Sequence, residues 1–226
     1  GDLRAMFLDF DNDGLKDIYL GSSDYPDQRG FLFHQLPNGT FAEIGRAAGV
    51  GHPGASGIVW ADFDRDGDLD LIVGSALMRD CCGWDEPEVH YYRNEVGQDG
   101  NWLQVRLVGD PAAGTNRSAI GAKVTVTAGG VTQVLELQGG FGHGLMQHDL
   151  VLHFGLGAAC DVDSIEVRWP DAANRRLSAN IGQRWRTSGC AETSLMRASA
   201  PMCRLPSARA ITSASPGKPL MSSRCA

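Results

Sequence analysis

The sequence predicts an all-β protein in which a repeated aspartate-rich unit is followed by a smaller β unit that lacks it. Three observations predict this. FLDFDNDGLKDIYLG at residues 7–21 is echoed by GIVWADFDRDGDLDLIVG at 57–74, at an offset of 53 residues (62 − 9), close to the periods of solenoids, propellers and arrays. The segments flanking both aspartate loops are short apolar runs rich in β-branched and aromatic residues and bounded by Gly. From Asn101 onward, strand-length runs of alternating polarity are separated by Gly or Asp/Asn.

In chain order, Met6-Phe7-Leu8 enters the first loop and Ile18-Tyr19-Leu20 leaves it. In FLFHQLPNGTFAEI, Pro37-Asn38-Gly39 joins two strand-like runs as a hairpin turn does. Ile58-Val59-Trp60 and Leu71-Ile72-Val73 flank the second loop, and VHYYRN follows after the longer loop MRDCCGWDEPE. The second unit reads as NWLQVRLVG, IGAKVTVTAGG, VTQVLELQGG, DLVLHFGLG and VDSIEVRWP. Past Asn174 the chain has no Asp and one aromatic, Trp185, among many Ser, Ala, Arg and Pro. Residues 177–226 therefore read as a basic low-complexity tail, disordered or translated out of frame.

A chain of 226 residues, 42% hydrophobic and 21% charged, supports one or two domains with real cores. Its net charge of −7 hides an asymmetry: residues 1–110 carry 8 Lys+Arg against 20 Asp+Glu, and residues 174–226 carry 9 against 1. An acidic body argues against nucleic acid as partner. The longest apolar run, LIVGSALM, is far short of the roughly 20 residues a membrane helix needs. The start at Gly1, almost inside the first repeat, reads as a fragment or processed product. None of the six cysteines forms a C-x-x-C pair, so a zinc or redox site has no support, and scattered free thiols are expected in preference to an oxidised Cys81-Cys82 pair.

The aspartate loops carry the chemistry. Asp9, Asp11, Asp13, Gly14 and Asp17 correspond to Asp62, Asp64, Asp66, Gly67 and Asp70. Four carboxylates make six pairs, each repelling by ~0.8 kcal/mol at ~5 Å in water and ~3 kcal/mol at an effective dielectric near 20. A hard divalent cation relieves this, and Ca²⁺ takes six to eight oxygen ligands in flexible geometry. Alternate spacing turns carboxylates inward, and Gly at position 6 permits the sharp bend. The backbone carbonyl at position 7, Leu15 or Asp68, and the carboxylate at position 9, Asp17 or Asp70, would complete each of two calcium sites. An EF-hand is excluded because position 12 is Leu20 or Val73 rather than Glu, and both flanks read as strand.

DFDNDGLKD and DFDRDGDLD resemble the calcium loops of FG-GAP/VCBS repeats, the blades of integrin-type β-propellers, and LFHQLPNGTFAEIGRAAGV resembles their linking hairpin. NWLQVRLVG through NRSAIGAKVTV, LELQGGFGHGLMQHDLVLHFGLG and VDSIEVRWPD is similar to the ASPIC/UnbV domain. The resemblance implies a partial β-propeller of two blades at residues 1–100, with structural calcium in its loops. A small β-sandwich-like domain follows at 101–176. It further implies an extracellular or cell-surface setting, periplasmic or on the outer surface if the source is bacterial, and a protein or carbohydrate ligand. Closed propellers use four to eight blades, so unfinished sheet edges are expected.

Catalysis finds little support. His143, His148 and His153 recur every five residues, which on a strand alternates faces, so they do not converge on a metal, and a packing role suits His153. No G-x-S-x-G, Walker or zincin motif occurs. Asn38-Gly39-Thr40 and Asn116-Arg117-Ser118 fit the glycosylation pattern, though Asn116 suits the turn before IGAKVTV. The expectation is a non-catalytic, calcium-stabilised extracellular binding or adhesion module. The alternative is the end of a carbohydrate-active or other secreted enzyme whose reactive groups lie outside this chain.

Overall fold

The computed structural model describes residues 4–22, 28–75, 88–97, 100–140 and 146–170, and the backbone of three later strands. The Cys81-Cys82 pair and His143 lie outside the described residues.

The first repeat is an antiparallel meander of β1 (Arg4–Leu8), β2 (Asp17–Gly21), β3 (Phe31–Gln35) and β4 (Phe41–Glu43). The hairpin expected at Pro37-Asn38-Gly39 joins β3 to β4, with Gly39 at φ 80° and the Leu36 N–H donating to the Thr40 carbonyl at 2.8 Å. The second repeat forms a three-stranded sheet from β5 (Ala55–Ala61), β6 (Asp70–Ser75) and β7 (Glu88–Tyr92). In each repeat the aspartate loop joins the first two strands. The two sheets share one core, in which Met6, Leu8 and Tyr19 meet Ile58, Trp60 and Val73, and Tyr19 meets Trp60 edge-on at 5.7 Å. This is the face-to-face stacking of neighbouring propeller blades, without a closed ring of strands among the described residues. Phe7 and Val89, on the outer faces, are 71% and 76% exposed.

The second unit contains β8 (Asn101–Val108), β9 (Lys123–Ala128), β10 (Val131–Glu136), β11 (Val151–Gly157) and β12 (Val162–Arg168). They build two sheets, β10-β9-β12 and β11-β8, around a common core that includes Leu103, Val105, Val124, Val126, Phe154, Ile165 and Trp169. The alternation seen in the sequence is the alternation of burial along β9. Asn116 serves the turn before β9, its side chain bonding both the N–H and the carbonyl of Ile120 at 2.9 Å.

Two expectations need correction. No strand was expected past residue 176, yet β13 (Arg176–Ala179) extends the β12 edge, and β14 (Ser194–Ser199) pairs parallel with β8 and antiparallel with β15 (Arg209–Thr212). The open edges of β12 and β8 accept backbone partners with little demand on side-chain pattern, which is why the sequence carries no sign of them. The rest of residues 177–226 lies outside the described residues. Free thiols were expected, yet Cys160 is disulfide-bonded, and the sequence could not show it because pairing is set by distance in the fold rather than by spacing along the chain. The other five cysteines lie outside the described residues.

Candidate metal centre

The two loops repeat in backbone as well as in sequence. Asn12 and Arg65, both at position 4, take φ 59° and 65°, and Gly14 and Gly67, both at position 6, take φ 89° and 99°. Two left-handed residues in six curl the chain so tightly that alternate side chains face inward.

The position-9 aspartate pins each loop to its sheet. Asp17 Oδ2 accepts from the Phe10 N–H at 3.1 Å and Oδ1 from the Gln35 N–H at 2.8 Å. Asp70 does the same with Phe63 at 3.0 Å and Asn94 at 2.9 Å. Asp9 accepts from the N–H groups of Asp13 and Gly14 at 3.1 and 2.9 Å, and Asp13 from that of Leu15 at 2.7 Å. Carboxylate oxygens of Asp9, Asp11 and Asp17 come within 4.8 Å of one another, as do those of Asp62, Asp64 and Asp66. Asp13 converges instead with Asp11 and His34. Leu15 and Asp68 hold the same place in their loops, but only Asp68 adds a carboxylate.

The residue before each of these β3- and β7-side N–H donors brings a positive or protonatable group to position 3, and sequence reading missed both. His34 Nε2 lies 3.0 Å from Asp11 Oδ2, and Arg93 lies 2.7 Å from Asp64 and 3.3 Å from Asp66. Lys16, beside Asp9 and Asp17, has its pKa lowered by burial and places its ammonium 3.3 Å from Gln133. The loops are therefore partly compensated by the chain itself.

Compensation is incomplete. Burial pushes Asp9 up to about 7 against the pull of Lys16, and Asp17 up to about 6 against its two backbone donors. Asp68 is fully buried, and among the described residues neither of its oxygens has a hydrogen-bond partner, nor has Asp62 Oδ1. Burial, then the neighbouring Asp66, Asp70 and Asp64, drive the Asp68 carboxyl up to about 9. The converging carboxylates of Asp62, Asp64 and Asp66 form an oxygen-only donor set that fits a hard cation.

The second unit closes over both loops. The inner faces of β8 and β11 serve its own core, whereas Trp102, Gln104, His153 and Gly155 face the two loops. A Cβ on Gly67 would lie 1.9 Å from Trp102 Nε1, and one on Gly155 would lie 2.1 Å from Asp9 Oδ2. Both positions are glycine because the backbone and its neighbour touch there. Gln104 donates to Asp62 at 2.7 Å, and the Gly157 N–H donates to the Asn12 carbonyl at 2.7 Å.

Asn12 is the hub. Its Nδ2 donates to the carbonyls of Gly67 and Gly97, each at 2.9 Å, and its Oδ1 lies 2.7 Å from His153 Nε2. With both amide hydrogens committed, Oδ1 must accept, so His153 carries its proton on Nε2. Among the described residues His153 Nδ1 is buried with no partner, and burial, with Lys16 nearby, holds the ring neutral by pushing its pKa down to about 3. His153 also stacks on Trp102 at 5.9 Å. His148 Nδ1 instead accepts from the Trp60 N–H at 3.0 Å. The two described histidines of the five-residue series thus go to different partners.

Residues 112–186 match the family described as ASPIC and UnbV, and residues 9–73 match the FG-GAP-like repeat. Cartilage acidic protein 1 of Homo sapiens is 31% identical over 189 residues, which cover 78% of this chain and 26% of that protein. The Mus musculus protein of the same name is 35% identical over 123 residues, 52% of this chain and 16% of that protein. The Xenopus tropicalis one is 31% identical over 179 residues, 74% and 25% respectively. The chain spans at most about a quarter of the length of these curated relatives.

Proposed function

We propose that this chain, which joins FG-GAP-like repeats to an ASPIC/UnbV domain, is a non-catalytic extracellular binding or adhesion module whose two aspartate loops hold calcium. The observation that carries the reading is the convergence of carboxylate oxygens within 4.8 Å of one another in each loop, from Asp9, Asp11 and Asp17 in the first and from Asp62, Asp64 and Asp66 in the second. Asp9, Asp11, Asp13 and Asp17, with the Leu15 carbonyl, would hold one ion. Asp62, Asp64, Asp66 and Asp70, with Asp68, would hold the other. Bound calcium supplies positive charge at the centre of each loop.

The chain's own residues do the rest. Asp17 and Asp70 fasten the loops to β3 and to the segment after β7. Asn12 then couples the first loop to the second and to His153 of the following domain. Calcium is thereby a joint between blades and domain as well as a relief of repulsion inside each turn. An extracellular setting suits weak structural sites, because millimolar calcium keeps them filled, and it agrees with relatives named for cartilage. The ligand is an extracellular protein or a carbohydrate. Neither family description nor any relative's name denotes an enzyme, and no described helix is long and apolar enough to cross a membrane.

Thermal unfolding of the full chain tests the reading. Calcium raises Tm, chelator lowers it, and Asp13→Ala or Asp66→Ala shrinks the difference. An identical melt in calcium and in chelator would overturn the proposal.

A further inference from the structure

Away from the aspartate loops, ligand-type side chains converge a second time, where the exit of the first repeat meets the last described strand of the second sheet. His52 lies just before β5, in backbone fixed by its carbonyl accepting from the Gly30 N–H at 2.9 Å and by an antiparallel bridge between Arg29 and Pro53. Glu88 and His90 are two apart on β7 and so share one face. His90 Nε2 lies 2.8 Å from Glu88 Oε2, and the rings of His52 and His90 are 3.9 Å apart between centroids at 41°. One donor atom from each of the three residues lies within 4.8 Å of the other two. Tyr92, the next residue on that face, stacks on His90 at 6.2 Å and walls one side.

A surface ion pair accounts for Glu88 with His90, but not for a second imidazole brought against the first from the segment that leads into β5. Tetrahedral coordination with bonds near 2.0–2.2 Å sets donor atoms about 3.3 Å apart, and small side-chain rotations bring these three to that spacing. Two imidazole nitrogens and one carboxylate oxygen suit zinc-class ions. Calcium, which wants six to eight oxygens, is a poor match.

We propose that His52, Glu88 and His90 bind a divalent transition-metal ion of the zinc class, with the fourth position left to water. The ion clips the exit of the first repeat to β7, independently of whether the aspartate loops hold calcium.

Cobalt(II), a coloured stand-in for zinc, tests this on the full chain in saturating calcium. One equivalent gives the visible band of four-coordinate Co²⁺, and Zn²⁺ displaces it. The band disappears in His52→Ala and His90→Ala. Co²⁺ affinity falls at least about ten-fold in Glu88→Gln, because a lost ligand should cost no less than a lost outer-shell partner, and the band persists in Asp66→Ala. Paramagnetically shifted ring protons from two histidines in the unmutated chain give the same answer should a variant fail to fold. Absence of a four-coordinate band, its survival in both histidine variants, or thiolate-to-cobalt charge transfer marking cysteine ligation would each overturn the proposal.

Discussion

Replacing Asn12 by Ala should unfasten the joint between the blades and the second domain. Asn12 is 0% exposed, so water cannot take over the bonds it makes. The substitution strands the carbonyls of Gly67 and Gly97 and the Nε2–H of His153, each buried polar group left unmet costing about 1–3 kcal/mol. Ala must also hold φ 59°, which Asn tolerates better, at roughly 1 kcal/mol. One side chain makes all three bonds, so their losses are not additive. Taking the low end of each gives a loss of about 3–4 kcal/mol, a large share of the 5–15 kcal/mol typical of a domain. Urea unfolding followed by tryptophan fluorescence measures it, since Trp102 stacks on His153. Asn38→Ala, in an exposed turn where Asn38 bonds Thr40 and, among the described residues, nothing else, is the comparison and should lose under about 1 kcal/mol. A loss of that small size for Asn12→Ala would refute the hub.

Gly67→Ala should destabilise strongly, since φ is 99° and a Cβ would collide with the Trp102 ring; an unchanged urea midpoint and an unchanged Trp emission maximum would contradict the packing. Gly155→Ala meets Asp9 and the Asn12 backbone and should weaken calcium binding as well as stability, read by calorimetry and urea titration. In chelator, stability should rise as pH falls from 9 to 7. Asp68 has a folded pKa of about 9, far above its unfolded value, so the folded state takes up the proton first, and the gain is lost again as pH rises through 9, at up to ~1.4 kcal/mol per unit. Calcium should flatten that slope by keeping the carboxylates ionised; equal slopes with and without calcium would contradict it. Below pH 6.5 His148 and His153 oppose this rise. Their folded pKa values of about 4 and about 3 lie below the unfolded one, so their own contribution falls as pH falls, and replacing His153 by Gln should remove part of that opposition.

The parts of the molecule legible in the sequence are those encoded locally. The 53-residue repeat already implied that Asn12 and Arg65 share a conformation, and both are left-handed. Alternation in KVTVTA and VDSIEVR placed β9 and β12 because one face of each meets a core. The burial of the loops was not legible. His153 reaches Asn12 from 141 residues away, and no local pattern in HDLVLHFGLG marks one face of β11 as facing aspartates. Asn12 itself reads as the variable position of DFDNDG, and His34 and Arg93 read as ordinary strand-end polar residues. Premises about charge were correspondingly too simple, since backbone N–H groups, His34, Arg93 and Lys16 share the work first assigned to an ion alone.

Isothermal titration calorimetry with calcium on the full chain, after chelator treatment and at neutral pH, addresses the aspartate loops most directly. Uptake of two ions is the predicted result, falling to one in Asp66→Ala and in Asp13→Ala. A protein that stays folded yet takes up no calcium at either loop would contradict the account.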